Sequence, residues 1–206
     1  MNPLRRLAEL GSAPLGGPLQ EQNGVPNILR PLLLMKNGFY AFESSLHVYP
    51  WGGGPGSGEF WNDPRLWREE YGDAVAGLTF FAEDAFGFQF ATDGDAIFSF
   101  DPEVAERERV SSDVMEWASL ILEDFEVRTG FPVMHEWQVH NGRILHGHRL
   151  APAAPFFLGG KYEAREMRMM ESVGLMRFRA NVYRQVKDLP DGAKVRIVVD
   201  WDSGES

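Results

Sequence analysis

Cysteine is absent from the sequence, which excludes a disulfide framework, a thiol nucleophile and cysteine-ligated zinc or iron–sulfur sites. Long apolar runs are absent as well. The densest one, residues 32–35, is far too short to cross a bilayer, and no apolar stretch of signal-peptide length follows the two N-terminal arginines. We therefore expect a cytoplasmic protein with no membrane partner.

Positive charge is scarce and unevenly distributed. The chain has 20 Lys and Arg against 30 Asp and Glu, a net charge of −10. Residues 59–136 hold 19 acidic and 5 basic side chains, a net of −14, whereas residues 161–199 hold 9 basic and 5 acidic, a net of +4. An acidic body repels phosphate backbones, which disfavours nucleic acid as a partner and favours a cationic one. A purely solubilising role for the acidic surface is the alternative.

The pattern of apolar residues predicts an α+β fold. Residues 78–100 read as a β-meander with strands at 78–83, 88–92 and 97–100, and phenylalanines on both faces indicate a sheet covered on both sides. The spacing of apolar side chains predicts a helix over 112–129. Further elements are expected as helices at 3–10, 28–36, 132–140 and 162–187 and strands at 143–150 and 194–201. Without a regular βαβ rhythm, this order predicts a single domain with a mainly antiparallel twisted sheet flanked by helices.

The N-terminal part is poorer in pattern. Residues 1–58 are expected to form a helical and extended segment packed on the body, and residues 59–206 the core. A glycine-rich stretch at 51–64 lies between aromatic residues, among them Trp61, and these favour a surface loop pinned to the body.

Short motifs follow one another along residues 60–200: FAEDAFGFQF (81–90), FDPE (100–103), EWA (116–118), TGFP (129–132), EWQ (136–138), NG (141–142), RL (149–150) and FFLGGKY (156–162). This ordered series resembles bacterial members of the SMI1/KNR4 (SUKH) superfamily. The resemblance implies a SUKH-like fold and a non-catalytic binding protein. Bacterial members are chiefly immunity proteins that block a cognate toxin, often one directed at nucleic acid, and a fungal relative is a scaffold in cell-wall signalling.

The resemblance implies an immunity protein that blocks a protein toxin, and the acidic composition agrees in sign, because carboxylates could occlude a basic surface of that toxin. A scaffold or regulatory interaction module is the alternative. The candidate partner contacts are the following residues: Glu69, Glu70, Asp73, Glu83, Asp84, Asp93, Asp95 and Trp61. Turns reach outward, which favours the residues at 83–84 and 93–95. The competing interpretations are a turn at Glu83 and Asp84 that hydrogen-bonds its own backbone, simple hairpin chemistry at Asp93 and Asp95, and inward packing of Trp67 and Tyr71 from a helix.

Catalytic and metal chemistry has weaker support in the sequence. Four histidines, at 135, 140, 146 and 148, have no diagnostic ligand spacing, so surface or packing roles are favoured over a metal site. No acyl-transfer motif accompanies them. We therefore expect no enzymatic activity, no cofactor and no bound metal.

Overall fold

The computed structural model describes residues 2–19 and 24–190. Within these ranges the chain forms eight strands: β1 Phe39–Ala41, β2 Leu46–Val48, β3 Thr79–Glu83, β4 Gln89–Thr92, β5 Ile97–Asp101, β6 Glu106–Ser111, β7 His148–Pro152 and β8 Met167–Glu171. The α-helices in the same ranges are α1 Pro3–Leu10, α2 Arg30–Met35, α3 Gly58–Trp61, α4 Val114–Glu123, α5 Phe125–Thr129, α6 Phe131–Asn141 and α7 Ser172–Val186. Short 3₁₀ turns at Arg68–Glu70 and Gly72–Val75 lead into β3.

Six strands form one sheet in the order β1-β2-β3-β4-β5-β6, and β7 pairs with β8 in a separate ribbon. Every neighbouring pair is antiparallel. The predicted α+β class with a mainly antiparallel sheet is confirmed. Residues 1–58 supply β1 and β2, so this segment is built into the sheet itself.

The sheet is covered on both faces, as the paired phenylalanines predicted. On the first face, Phe81 and Phe90 meet the fully buried Trp117 of α4 at ring distances of 5.2 and 5.5 Å, and α1 and α2 complete this layer. On the second face, Phe80 and Phe100 pack against a cluster that includes Trp67 and residues of α7. Two separate apolar layers therefore fix the sheet from both sides.

Trp67 and Tyr71 pack inward on the second face, with Trp67 fully buried and Tyr71 4% exposed. Inward packing, the competing interpretation of these two aromatics, is therefore confirmed. Trp67 directly precedes the 3₁₀ turn Arg68–Glu70 and Tyr71 directly follows it, so neither residue lies on an α-helix. The Tyr71 hydroxyl donates a hydrogen bond to the carbonyl of Pro102, which satisfies its polar end within the core.

Three predicted elements differ from the structure. The helix expected over 112–129 is two helices, because Asp124 leaves helical geometry at φ −144° and ψ 53°. The helix expected over 162–187 begins only at Ser172, since residues 167–171 form β8 against β7. The strand expected over 143–150 begins only at His148.

Edge strand β6 was not predicted at all. Its sequence alternates glutamate and arginine over 106–109, and those four side chains are exposed. An edge strand of this kind carries no apolar signal, and its charges discourage pairing with other chains. The strand predicted at 194–201 lies outside the described residues.

Helix α1 offers a direct test of whether the N-terminal segment belongs to the core. Leu7→Ala should lower the free energy of unfolding by about 2–4 kcal/mol, because the Leu7 side chain is fully buried against the first face. Leu10→Ala on the same helix, where the side chain is 42% exposed, should change it by less than about 1 kcal/mol. Urea denaturation measures both, and equal effects would contradict the packing.

Candidate functional site

A row of polar side chains crosses four strands on the second face of the sheet. Tyr40 lies opposite His47, His47 opposite Glu83, and Glu83 opposite Gln89, so the strand register places all four side by side. Strand alternation forces these side chains onto one face, while their neighbours along each strand fill the first apolar layer. The row therefore needs partners from the elements that cover this face.

Arg149 of β7 supplies the central partner. Its Nε lies 2.9 Å from Oε1 of Glu83, and both side chains are almost completely buried. His47 Nδ1 lies 3.1 Å from the same oxygen. Arg149 Nη1 also donates to the carbonyls of Ser44 and His148. We call His47, Glu83, Gln89 and Arg149 the buried ionic network.

Glutamine 89 completes this network through its amide. Its Oε1 accepts hydrogen bonds from the Tyr49 hydroxyl at 3.1 Å and from Trp61 Nε1 at 2.9 Å. Its Nε2 donates to the carbonyl of Gly87 at 2.9 Å and lies 3.4 Å from Glu83 Oε2. The amide therefore links the carboxylate to the aromatic layer.

The network holds Glu83 charged and His47 neutral. Burial opposes ionisation of Glu83, but the Arg149 guanidinium and the hydrogen bond to His47 outweigh it and hold the pKa of Glu83 below its ordinary value. Burial lowers the pKa of His47 to about 4. A carboxylate only accepts hydrogen bonds, so the neutral imidazole donates from Nδ1–H to Glu83.

A second buried ion pair joins α7 to the end of β5. Arg179 Nη2 lies 3.4 Å from Glu103 Oε1, and both side chains are buried. Arg179 Nη1 donates to the carbonyl of Phe86 at 2.7 Å, and Glu103 Oε2 accepts from the backbone N–H of Phe157 at 3.2 Å. This pair anchors the turn between β3 and β4.

That turn is built around Asp84. Its Oδ1 accepts the backbone N–H groups of Phe86 and Phe88 at 2.8 and 2.9 Å. Gly87 has φ +79°, and a Cβ there would lie 3.3 Å from Arg179 Nη1. Burial raises the pKa of Asp84 to about 7, although both hydrogen bonds and the two buried arginines act to lower it. Asp84 is therefore a buried carboxyl that exchanges its proton near neutral pH.

A groove of about 710 Å³ opens beside this turn. Its lining comes from the turn itself, from β4 to β6, from α5 and the ends of the two adjoining helices, and from Tyr162. Asp84, Phe86 and Phe88 line it together with Val127, which is 77% exposed. Gly130 belongs to the same lining, and a Cβ there would lie 2.3 Å from the Phe86 ring. The groove combines aromatic walls with a carboxyl whose pKa is strongly perturbed, a combination typical of binding sites.

The structure corrects three of the eight predicted partner contacts. Glu83, Asp84 and Trp61 are only 1%, 9% and 6% exposed, so the expectation that they face outward is wrong. Glu83 is drawn inward by Arg149, and Trp61 by its hydrogen bond to Gln89. Asp84 instead hydrogen-bonds its own turn, which was the competing interpretation.

The other five acidic residues lie at the surface. Glu70 is half-buried and pairs with Arg184 and Arg177 at 3.3 and 3.7 Å, while Glu69 is exposed. The turn that holds Asp73 leads into β3, whose first residue pairs with the residue before Asp93. The segment that holds Asp73 therefore leads into the sheet at the end where the turn with Asp93 and Asp95 joins β4 to β5, and we call these three residues the acidic end.

Three of the four histidines considered as metal ligands, His135, His146 and His148, each make a different contact. His135 Nδ1 lies 2.9 Å from Glu43, the ring of His146 stacks on Tyr40 at 4.7 Å, and His148 contacts the carbonyl of His146. Nowhere in residues 2–19 and 24–190 do three potential metal-ligating side chains of the His, Asp and Glu types come together. These contacts are those of surface and packing histidines.

Sequence reasoning missed His47, Glu103, Arg149 and Arg179. One usable signal was present: Glu83 ends a strand predicted to be covered on both faces, and a charge in such a strand requires a buried counterion. Nothing in the sequence pointed to Arg149 as that counterion, because 65 positions separate the two residues.

Comparison with known proteins supports the fold. No family model and no curated protein matches the chain. Among solved structures it is similar to the crystal structure of Atu4351 from Agrobacterium tumefaciens, with a TM-score of 0.57 and 14% identity over 85% of this chain and 87% of that one. At this identity the likeness shows the fold alone. The chain is thus an α+β protein with a doubly covered antiparallel sheet, an architecture that it shares with Atu4351. None of the helices within the described ranges is both long and apolar enough to span a membrane.

Removing one partner of the buried ion pair should destabilise the protein strongly. Arg149→Met leaves the Glu83 carboxylate buried without its guanidinium and should lower the free energy of unfolding by about 3–5 kcal/mol. Adding Glu83→Gln should restore part of the loss. Arg177→Met removes an exposed partner of Glu70 and should cost about 1 kcal/mol or less. Urea denaturation of all four proteins provides the test, and a similar loss in the Arg149 and Arg177 variants would contradict the structure.

Asp84 should make stability fall as the pH rises from about 4 to about 7. Its pKa is raised in the folded state, so the folded protein binds more protons than the unfolded chain in this range. Asp84→Asn removes this dependence, and its stability relative to the parent should increase by about 2–4 kcal/mol across the window. Urea denaturation at several pH values measures it. Asp93, whose pKa is lowered by the backbone N–H of Asp95, is the control, and Asp93→Asn should show no such gain.

Proposed function

We propose that the chain is a non-catalytic immunity protein that neutralises a cognate protein toxin by direct binding. Its acidic end docks on a basic surface of the toxin, of the kind that a nucleic-acid-directed enzyme presents to phosphates. The observation that carries this proposal is the acidic end itself, three exposed carboxylates on two segments that join the sheet at the same end.

The acidic end keeps its charge available to a partner. Among the described residues, Asp73, Asp93 and Asp95 form no ion pair. Uncompensated surface charge of one sign speeds encounter with a partner of the opposite sign. The acidic end is therefore suited to electrostatic recognition.

The turn of the acidic end that contains Asp93 and Asp95 is also held in a defined shape. Asp93 Oδ1 accepts the backbone N–H groups of Asp95 and Ala96, both at 3.0 Å. Thr92 Oγ1 donates to the carbonyl of Ala96 and accepts from Gly94. A turn ordered before binding loses little conformational entropy in a complex, which favours a binding role.

Two of the buried carboxylates are committed to the fold rather than to catalysis. Glu83 and Glu103 are 1% and 2% exposed and each pairs with an internal arginine, so their charges are used to hold the fold. A general acid or base must reach its substrate. The ordered motifs that resemble the SMI1/KNR4 superfamily support the same proposal.

Charge reversal at the acidic end tests it. The triple variant Asp73→Lys, Asp93→Lys and Asp95→Lys should slow association with the toxin about 10–100-fold at low salt and abolish protection in cells. The toxin to use is the protein encoded beside this chain, co-expressed with it. The parent protein should inhibit at a one-to-one ratio, with an association rate that falls as salt rises.

A control variant with the same change in net charge at other positions shows whether the loss of binding depends on where the charges lie. Glu9, Glu123 and Glu136 are exposed carboxylates on α1, α4 and α6, and their triple reversal to lysine should leave protection intact. Equal losses in both triple variants would contradict a localised contact. Binding of several weak partners without neutralisation would favour a scaffold module instead.

A further inference from the structure

The buried carboxyl and guanidinium groups around the β3–β4 turn are unequal in number. Three carboxyl groups, those of Glu83, Asp84 and Glu103, lie with two guanidinium groups, those of Arg149 and Arg179. Glu83 and Glu103 each take one arginine. His47 does not supply the missing charge, because its imidazole is neutral at pH 7. One carboxyl, that of Asp84, therefore has no cation of its own.

The carboxyl in excess is the one that lines the groove. Asp84 is nine-tenths buried, and its Oδ1 is engaged by the N–H groups of Phe86 and Phe88. Within the described part of the chain, no hydrogen-bond donor reaches its Oδ2. Oδ2 of Asp84 can therefore still accept a hydrogen bond, and the residue lies in the wall of a groove large enough for a side chain and its flanking backbone.

The walls around this carboxyl are aromatic. The Tyr162 ring, 55% exposed, lies 5.1 Å from the Phe86 ring in an edge-on arrangement, and Phe88 completes the wall. The guanidinium of Arg179 already lies over the Phe88 ring, 5.3 Å from the ring centroid. Aromatic faces attract cations, and a guanidinium also stacks on them.

We propose that this groove receives an arginine side chain of the protein partner, whose guanidinium bonds to Oδ2 of Asp84 between Phe86, Phe88 and Tyr162. The inference rests on the proposed function, because the arginine belongs to the partner that the acidic end attracts. The incoming charge supplies the second member of a third buried ion pair and balances the three carboxyl groups.

Arginine fits this site better than lysine. A guanidinium is planar and more weakly hydrated than an ammonium group, so it loses less on entering a groove with aromatic walls. The groove rim carries both signs, Glu108 and Glu126 with Arg109 and Arg128, so it adds no strong preference of its own. The selectivity therefore comes from the carboxyl and the rings beside it.

A pair of short peptides tests the site without the partner. The probe is acetyl-Gly-Arg-Gly amide, and its neutral isostere contains citrulline in place of arginine. In ¹H–¹⁵N NMR titrations, the arginine peptide should shift the amide signals of residues 84–88 and of Tyr162, and the citrulline peptide should bind at least tenfold more weakly. Equal binding of the two peptides, or shifts confined to other surfaces, would overturn the proposal.

A matched pair of variants assigns the effect to the carboxylate. Asp84→Asn keeps an oxygen for the two backbone N–H groups, so the turn is retained, but it should weaken binding of the arginine peptide at least tenfold. Glu9→Gln removes one exposed negative charge on α1, outside both the groove lining and the acidic end, and should leave peptide binding unchanged. Unchanged binding in the Asp84 variant, with an intact NMR spectrum, would refute the assignment.

Toxin neutralisation separates this inference from the proposed function. Full protection by Asp84→Asn, together with no binding of the arginine peptide to the parent, would overturn the groove assignment and leave the immunity function standing. Specific binding of the arginine peptide by a parent protein that neutralises no toxin would support the groove and overturn the function.

Discussion

The ion pair between Glu83 and Arg149 joins the central sheet to the β7–β8 ribbon, and the arrangement of the second face depends on it. Taking two charges out of water is expensive, and their attraction compensates only when the geometry is close and the remaining hydrogen-bonding groups find partners. His47 and Gln89 are those partners for the carboxylate. The pair also positions the next residue, Asp84, whose turn closes β3 onto β4 and forms one wall of the groove.

The chain uses its acidic residues in two physically different ways. Inside, the carboxylates of Glu83 and Glu103 are matched to arginines that are distant in sequence, Arg149 and Arg179. Outside, the carboxylates of the acidic end are left in water, where they can act on a partner at a distance. Carboxylates thus stabilise the fold in the interior and, in the proposed function, serve recognition at the surface.

The acidic end and the groove complement each other as parts of one proposed binding mechanism. Exposed charges raise the rate of encounter but contribute little affinity once a complex has formed, since salt and water screen them. A desolvated contact in a groove with aromatic walls is the kind of contact that slows dissociation. An arginine bound at Asp84 would therefore lengthen the lifetime of a complex that the acidic end brings together.

The sequence by itself determined the antiparallel meander, because strand alternation and the Asp-Gly turn are local signals, and it determined the excess of negative charge. The expectation that turns reach outward placed Asp93 and Asp95 at the surface correctly but failed for Glu83 and Asp84. Only the tertiary structure decided that Glu83 and Asp84 are interior. Burial of a charge depends on a counterion distant in sequence, here Arg149, and a linear pattern contains no information on which distant residue will meet it. Strand β6 was missed because it is held by backbone pairing to β5 and not by burial of apolar side chains, so its sequence has no apolar pattern.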